Sequence, residues 1–255
     1  MIASLGMYDR PETAAANDRF WALIRDGLRA RGIAAPEALT RGEKAYGPAW
    51  ADPALVLSQT CGFPYRARLH GQVTLVGTPD HGLPDCPPGH YASVLVARPD
   101  DTRTLPEFRT ARFAFNDGLS QSGWAAPQNH AWTMGFHFAP TLATGSHRAS
   151  ALAVAEGRAD IAALDALTWH MLRRWEPGLT HLREVARTAP TPALPYIAAR
   201  GADAEATVSA LVEAADRLSP EDRDTLSLRG VVRIAAERYL AVPTPPSPEQ
   251  IARSD

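Results

Sequence analysis

The chain has 255 residues, 45% of them apolar and 21% charged, and its 26 basic and 28 acidic side chains leave a net charge of −2. That balance suits a globular protein with enough chain for one large core or two smaller ones. It excludes the basic footprint of a nucleic-acid binder, and no run nears the roughly 18 apolar residues that membrane insertion needs.

The N-terminal "MIASLGMYDRPE" has no basic segment followed by an apolar stretch, so it lacks the form of a secretory leader. Either the chain stays inside the cell or it derives from a longer exported precursor. Ile2 to Met7 reads as a first strand. Thr13 to Arg31 follows as a helix, with Phe20, Leu23, Ile24, Gly27 and Leu28 on one face. Leu55 to Leu57 is a short strand running into the polar "SQTCG", and "QVTLVGTP" and "YASVLVARP" are two more. "RFAFND" (Arg112 to Asp117) is a strand that leads to a helix beginning in "LSQSGWAAPQNHAW".

Ala149, Leu152, Ala153 and Glu156 give helical spacing after "TGSH", and Gly157 suits the stop. "ADIAALD" is a strand and "ALTWHMLRRW" a helix. "DAEATVSALVEAADRL" is an amphipathic helix, and "SPED" (Ser219 to Asp222) caps another, with Pro at its first position. The Pro-rich "VPTPPSPEQIARSD" reads as a loosely held tail. Strands alternating with helices predict an α/β fold. Pro99 to Thr104 and Thr188 to Pro195 are irregular enough to be crossovers. They predict one lobe from residues 1–98 with 193–255, and a second from 99–192, with hinges near 99–104 and 188–195.

Three places share a design in which small polar residues open a helix after a strand: Ser58 to Gly62, Ser120 to Trp124 and Thr144 to Ser150. A helix start presents unpaired amides and the positive end of the peptide dipoles, and hydroxyls add donors. One such turn is a cap; three together suit an oxyanion. Ser120 or Ser122 with His147 and Asp165 also has the composition of a hydrolase triad. The Ser…His…Asp order and the lack of a G-x-S-x-G elbow around those serines count against it. His147 and Asp165 also read as simple helix caps, and His137, Trp50, Trp124 and Trp169 as core. Asp80, His81, Cys86 and His90 are able to bind metal, but their spacing matches no common zinc pattern. No metal or cofactor is expected. Cys61 and Cys86 are either a disulfide, worth roughly 3 kcal/mol by loop entropy, or two separate thiols; both readings stand, and a bridge would argue for an oxidising compartment.

The order "MYDRPE", "SQTCGFPY", "YASVLVARPDD", "LPEFRTARFAFNDGLSQSG", "TGSHRASALAVAEGRADIAALD" and "APTPALP" resembles the phosphate, phosphite and phosphonate substrate-binding proteins of ABC importers. The resemblance runs from about residue 2 to 240 and is most specific at Ser120–Gly123 and Gly145–Asp165. It implies a type II periplasmic-binding-protein fold: two lobes of mixed sheets flanked by helices, two crossovers, and a ligand in the interlobe cleft. It implies that Ser120, Ser122 and Ser146 grip the oxyanion, with His147 reaching one of its oxygens. Asp165 would meet an amino group, and Tyr8, Gln59 and Thr60 would close from the other lobe. Gln121 stands where the family has threonine. Leu194 in "PALP" replaces an acid, which weakens the case for an aminoalkyl ligand. The expected partners are a small anionic ligand and, for an exported chain, an ABC permease; the chain is expected to be a monomer. The resemblance implies the periplasm, with the cytoplasm left open. The other readings are an intracellular sensor or an enzyme on the same fold.

Overall fold

The computed structural model describes residues Met1–Arg253. Its strands are β1 (Ile2–Ala3), β2 (Leu55–Gln59), β3 (Val73–Asp80), β4 (His90–Tyr91), β5 (Ser93–Ala97) and β6 (Phe113–Phe115). They continue as β7 (Thr141–Ala143), β8 (Ile161–Asp165), β9 (Arg183–Arg187), β10 (Thr191–Pro192), β11 (Tyr196–Ala199) and β12 (Gly230–Val232). The chain divides into two units. The first takes Met1–His90 with Pro192–Ala241, and the second takes Tyr91–Thr191 with the segment from Val242.

The first unit has a five-stranded sheet in the order β1-β2-β11-β3-β12. β1 and β2 are parallel, while β11 runs against both β2 and β3, and β12 against β3. Hence β1, β2 and β3 all point the same way. The helix Ala14–Ala30 lays Phe20, Trp21, Ile24 and Leu28 into a core shared with Val208 and Leu211 of the helix Ala204–Arg217. Each such side chain contributes about 1.5–3 kcal/mol by leaving water. Gly27 allows this approach, because a Cβ there would stand 3.2 Å from the Ala210 Cβ.

The second unit's sheet has the order β7-β6-β8-β5-β9. β6 is parallel to β7 and to β8, and β5 runs against β8 and β9. β5 and β8 are buried along their whole length, as their near-continuous apolar sequences require. Phe113 stacks on Phe138 at 4.6 Å, and Phe115 packs on Trp124 at 4.7 Å.

Three expectations change. The first strand ends at Ala3, and residues Gly6–Tyr8 form a 3₁₀ turn; Ser4 between them sends its hydroxyl to the Ala45 carbonyl and Ser58 Oγ. The first crossover falls at His90–Tyr91 rather than in 99–104, since β5 pairs with β8 and β9 along its length and so belongs to the second unit. The second lies at Thr191–Pro192. The C-terminal segment is neither loose nor part of the first unit: Trp124 Nε1 donates to the Pro246 carbonyl at 3.0 Å and Asn129 Nδ2 to that of Pro243 at 2.8 Å. A Ser247/Gln250 capping box then starts the helix Pro248–Ala252, and Ile251 is buried. No disulfide joins Cys61, buried beside the Gly62–Pro64 turn, and Cys86, partly exposed in the loop after β3.

Candidate functional site

In the second unit three parallel strands end on one edge, and the chain leaves each of them into a helix start. Ligands of α/β sheets gather at such carboxyl edges. From β6 the chain reaches a π-helical turn, Gln121–Ala125, whose first amides are capped by Ser120: its Oγ accepts from Gly123 N at 2.9 Å. From β7 it reaches the helix His147–Ala155, where Ser146 Oγ accepts from Ala149 N at 3.1 Å. β8 ends at Asp165, whose Oδ1 accepts from the amides of Leu167 and Thr168 at 2.8 and 3.0 Å. A capping hydroxyl uses a lone pair and keeps its own O–H to donate, so Ser120 and Ser146 remain donors. Asp165, read from the sequence as an ammonium partner, is placed as a cap.

Ser122 and His147, 25 positions apart, meet: Ser122 Oγ lies 3.0 Å from His147 Nε2. That bond ties two helix starts together. Burial pushes the His147 imidazole down to about 4, against a smaller opposing pull from the Ala163 carbonyl. Its buried Nδ1 makes no hydrogen bond among the described residues. No carboxylate bonds Nδ1 among the described residues. Ser120, Gln121, Ser122 and Asp165 are buried, while Ser146 is exposed. Gly123 is obligatory here. A Cβ on it would overlap Asn116 Oδ1 and come within 3.2 Å of Ser120 Oγ.

Two residues at this edge escaped the sequence reading. Ser93 stands opposite Asp165 in the β5–β8 register, and its buried hydroxyl has no hydrogen-bond partner among the described residues. Asn116 follows β6, and its buried Oδ1 is likewise without one. A register between positions 72 apart is not visible in a sequence; the polar residue directly after "RFAF" was the one available signal.

The first unit has an edge of the same kind. β1, β2 and β3 end there, at the start of β11, so Tyr8, Gln59, Thr60, His81 and Tyr196 gather along it. Gln59 Nε2 donates to the Leu194 carbonyl at 3.3 Å, and Thr60 N to that of Pro195 at 3.0 Å. The Thr60 hydroxyl is fully buried and without a partner among the described residues. Tyr8, Gln59, Asn17, His81 and Tyr196 line a cavity of about 30 Å³, close to the room one water needs. Tyr8 meets the His81 ring edge-on at 5.4 Å.

The other sequence candidates have structural roles. His137 stacks on Trp132 at 5.0 Å, Trp169 Nε1 donates to Glu184, and Trp124 holds the C-terminal segment. Asp80 binds the amides of Gly82 and Gly89, and His90 Nδ1 lies 3.0 Å from the Pro88 carbonyl. Among the described residues no three His, Cys, Asp or Glu side chains cluster as a metal site would require.

Known proteins resemble this arrangement. The family model described as "ABC transporter, phosphonate, periplasmic substrate-binding protein" matches residues 57–238. Among curated proteins none matches. Of solved structures, PhnD1 from Prochlorococcus marinus in complex with methylphosphonate is 15% identical, with a TM-score of 0.72 over 99% of this chain and 97% of that one. A binding-protein component of an ABC phosphonate transporter from Pseudomonas aeruginosa is 14% identical, with a TM-score of 0.66 over 99% and 84%. XAC2383 from Xanthomonas citri, bound to chloride, is 17% identical, with a TM-score of 0.68 over 99% and 98%. At these identities the likeness shows the fold, that of the two-lobed periplasmic binding proteins.

Proposed function

We propose a ligand and a mode of capture from one premise: the chain belongs to the ABC-transporter family of periplasmic phosphonate substrate-binding proteins. The ligand is a small oxyanion of the phosphonate, phosphite or phosphate class, held by donors from both units and handed to an ABC importer. The oxyanion docks first on the second unit, on the hydroxyls of Ser120, Ser122 and Ser146 and the amides around them. Charge-assisted bonds of this kind are about twice as strong as neutral ones. Tyr8, Gln59 and Thr60 of the first unit then close on the ligand's far side, the hinge motion such proteins use.

One observation carries this reading: the 3.0 Å bond between Ser122 and His147 joins two helix starts on the carboxyl edge of one sheet. An arriving anion favours the imidazolium, whose Nε2 then donates to Ser122 Oγ and leaves the serine O–H for the ligand. The pair so becomes a set of donors rather than a nucleophile and its base, since no carboxylate bonds Nδ1 among the described residues. This supports holding over turnover, as the family's transport role does.

Thermal unfolding with phosphate, phosphite, methylphosphonate, sulfate and methylsulfonate tests it. A true ligand at a hundredfold excess over its Kd adds about 2.7 kcal/mol. Ser122→Ala should remove that gain and keep the unliganded midpoint within a few degrees. The reading falls if no phosphorus oxyanion stabilises the protein, or if Ser122→Ala responds like the wild type.

A further inference from the structure

We propose that Thr144 is a positioning residue for the oxyanion grip of the second unit: its hydroxyl ties the end of β6 to the helix that starts at His147. This rests on the oxyanion-receptor reading and adds to it the residue that keeps the serine and histidine donors in register.

Thr144 directly follows β7. Its amide donates to the Phe115 carbonyl at 2.9 Å, and the next amide, that of Gly145, to the Asn116 carbonyl at 3.0 Å. These bonds carry the parallel β6–β7 contact past the strand ends. The side chain adds three contacts. Thr144 Oγ1 lies 3.0 Å from the Phe115 carbonyl, 3.2 Å from that of Ser146 and 2.6 Å from Ser150 Oγ. Phe115 ends the strand that leads to the Ser120 turn, whereas Ser146 and Ser150 belong to the start of the other helix. One hydroxyl therefore bridges both elements that carry the grip.

The directions of these bonds follow from the chemistry. A carbonyl only accepts, so the single hydrogen of Thr144 goes to the two carbonyls. The contact with Ser150 must then use the hydrogen of Ser150, a fully buried residue. Thr144 has no hydrogen left for a ligand and acts through its neighbours. These are Ser146, whose Oγ caps Ala149 N, and His147, whose Nε2 meets Ser122. Gly145, the link between them and Thr144, has open space where a side chain would stand. Hydrogen bonds rather than packing hold that link, and a binding constellation works only if its donors are held to within about 0.5 Å.

The test is isothermal titration of the full chain with phosphate, phosphite and methylphosphonate, together with ¹⁵N spectra of the His147 ring in the anion-free protein. Thr144→Val keeps the shape and removes the hydroxyl. It should weaken the anion that the wild type binds most tightly by about tenfold, the scale on which supporting hydrogen bonds act on a bound group. It should also move the His147 resonances before any anion is added. Thr144→Ser, which keeps the hydroxyl, should restore both. A role in stability alone would lower the unfolding midpoint and leave affinity and resonances as they were. Should Thr144→Val fail to fold, Ser150→Ala takes its place: it deletes the donor to Thr144, and should lower affinity a few-fold and shift the same resonances. Unchanged affinity or unmoved His147 resonances in the variant that folds, or equal losses in Thr144→Val and Thr144→Ser, overturn this proposal alone. Binding of none of the three anions by the wild type overturns the receptor reading itself, and this inference with it.

Discussion

The two units place a half-buried histidine at matching positions, each beyond the carboxyl end of a strand, and wire it in opposite senses. His147 spends its Nε2 on Ser122 and leaves Nδ1 without a partner among the described residues; His81 spends its Nδ1 on a carbonyl and leaves Nε2. A hydroxyl is able to give or take a hydrogen, so the contact with Ser122 by itself leaves the first ring's tautomer open. A carbonyl only takes, so the second ring is fixed as an acceptor. One edge is thus adaptable and donor-rich, the other rigid and accepting.

The largest effect that would break this symmetry is the response to acid. Both imidazoles sit near 4 in the folded chain, chiefly because they are buried, against an ordinary value of 6.5. The unfolded chain therefore takes up these protons first, as pH falls below 6.5. Folding stability is whole above that point and declines from 6.5 to 4, by about 3 kcal/mol for each ring at about 1.4 kcal/mol per pH unit. Denaturant midpoints between pH 7 and 4.5 should fall less in His147→Gln and in His81→Gln than in the wild type. Parallel curves for all three would refute the shared burial. Phosphonate sharpens the contrast. It should raise the pKa of His147, so affinity weakens as pH rises from about 4 to the new value and then levels off. Titrations in His147→Gln should lose that slope, whereas His81→Gln should keep it.

A second, smaller break is steric. In Gly123→Ala the new methyl meets Asn116 and Ser120, and overpacking of this kind costs about 1–3 kcal/mol. Chemical denaturation should show that loss, and oxyanion binding should vanish with it. Gly145 opens the neighbouring helix start with φ +85° but open space around its Cβ position. Gly145→Ala should cost about 1–2 kcal/mol from the backbone alone and leave the Ser122–His147 pair in place.

How much of this the sequence disclosed follows from the range of the interactions. Caps are local, so Ser146, Ser219 and Gly157 announced their helix ends, and the structure puts the two serines on the amides expected and Gly157 at φ +74°. Short apolar runs likewise marked β2, β3, β5, β6 and β8. What stayed hidden depends on partners far along the chain. Ser93 matters through a register with Asp165, and Ser122 meets His147 only because β6 and β7 lie side by side in parallel. His81 sat in a loop whose Asp, Cys and His match no zinc spacing, and its tautomer is set by a carbonyl 146 positions away. Proline density misled for the C-terminal segment, where the prolines offer carbonyls to Trp124 and Asn129 instead of marking disorder.

That segment also separates the two edges, because it braces one of them directly. Trp124 lies within the Gln121–Ala125 turn that follows the Ser120 cap, and its indole donates to the Pro246 carbonyl. Trp124→Phe keeps the ring buried against Phe115 and deletes the donor, so the Pro246 carbonyl loses its indole and the turn loses one tether. The expected loss is about 1 kcal/mol of stability, with oxyanion affinity lowered a few-fold through a less ordered serine turn. His81 belongs to the first unit, so its ¹⁵N shifts should be unaltered. If instead oxyanion affinity holds while the His81 resonances move, the brace acts on the wrong edge, and the division of labour between the two histidines must be redrawn.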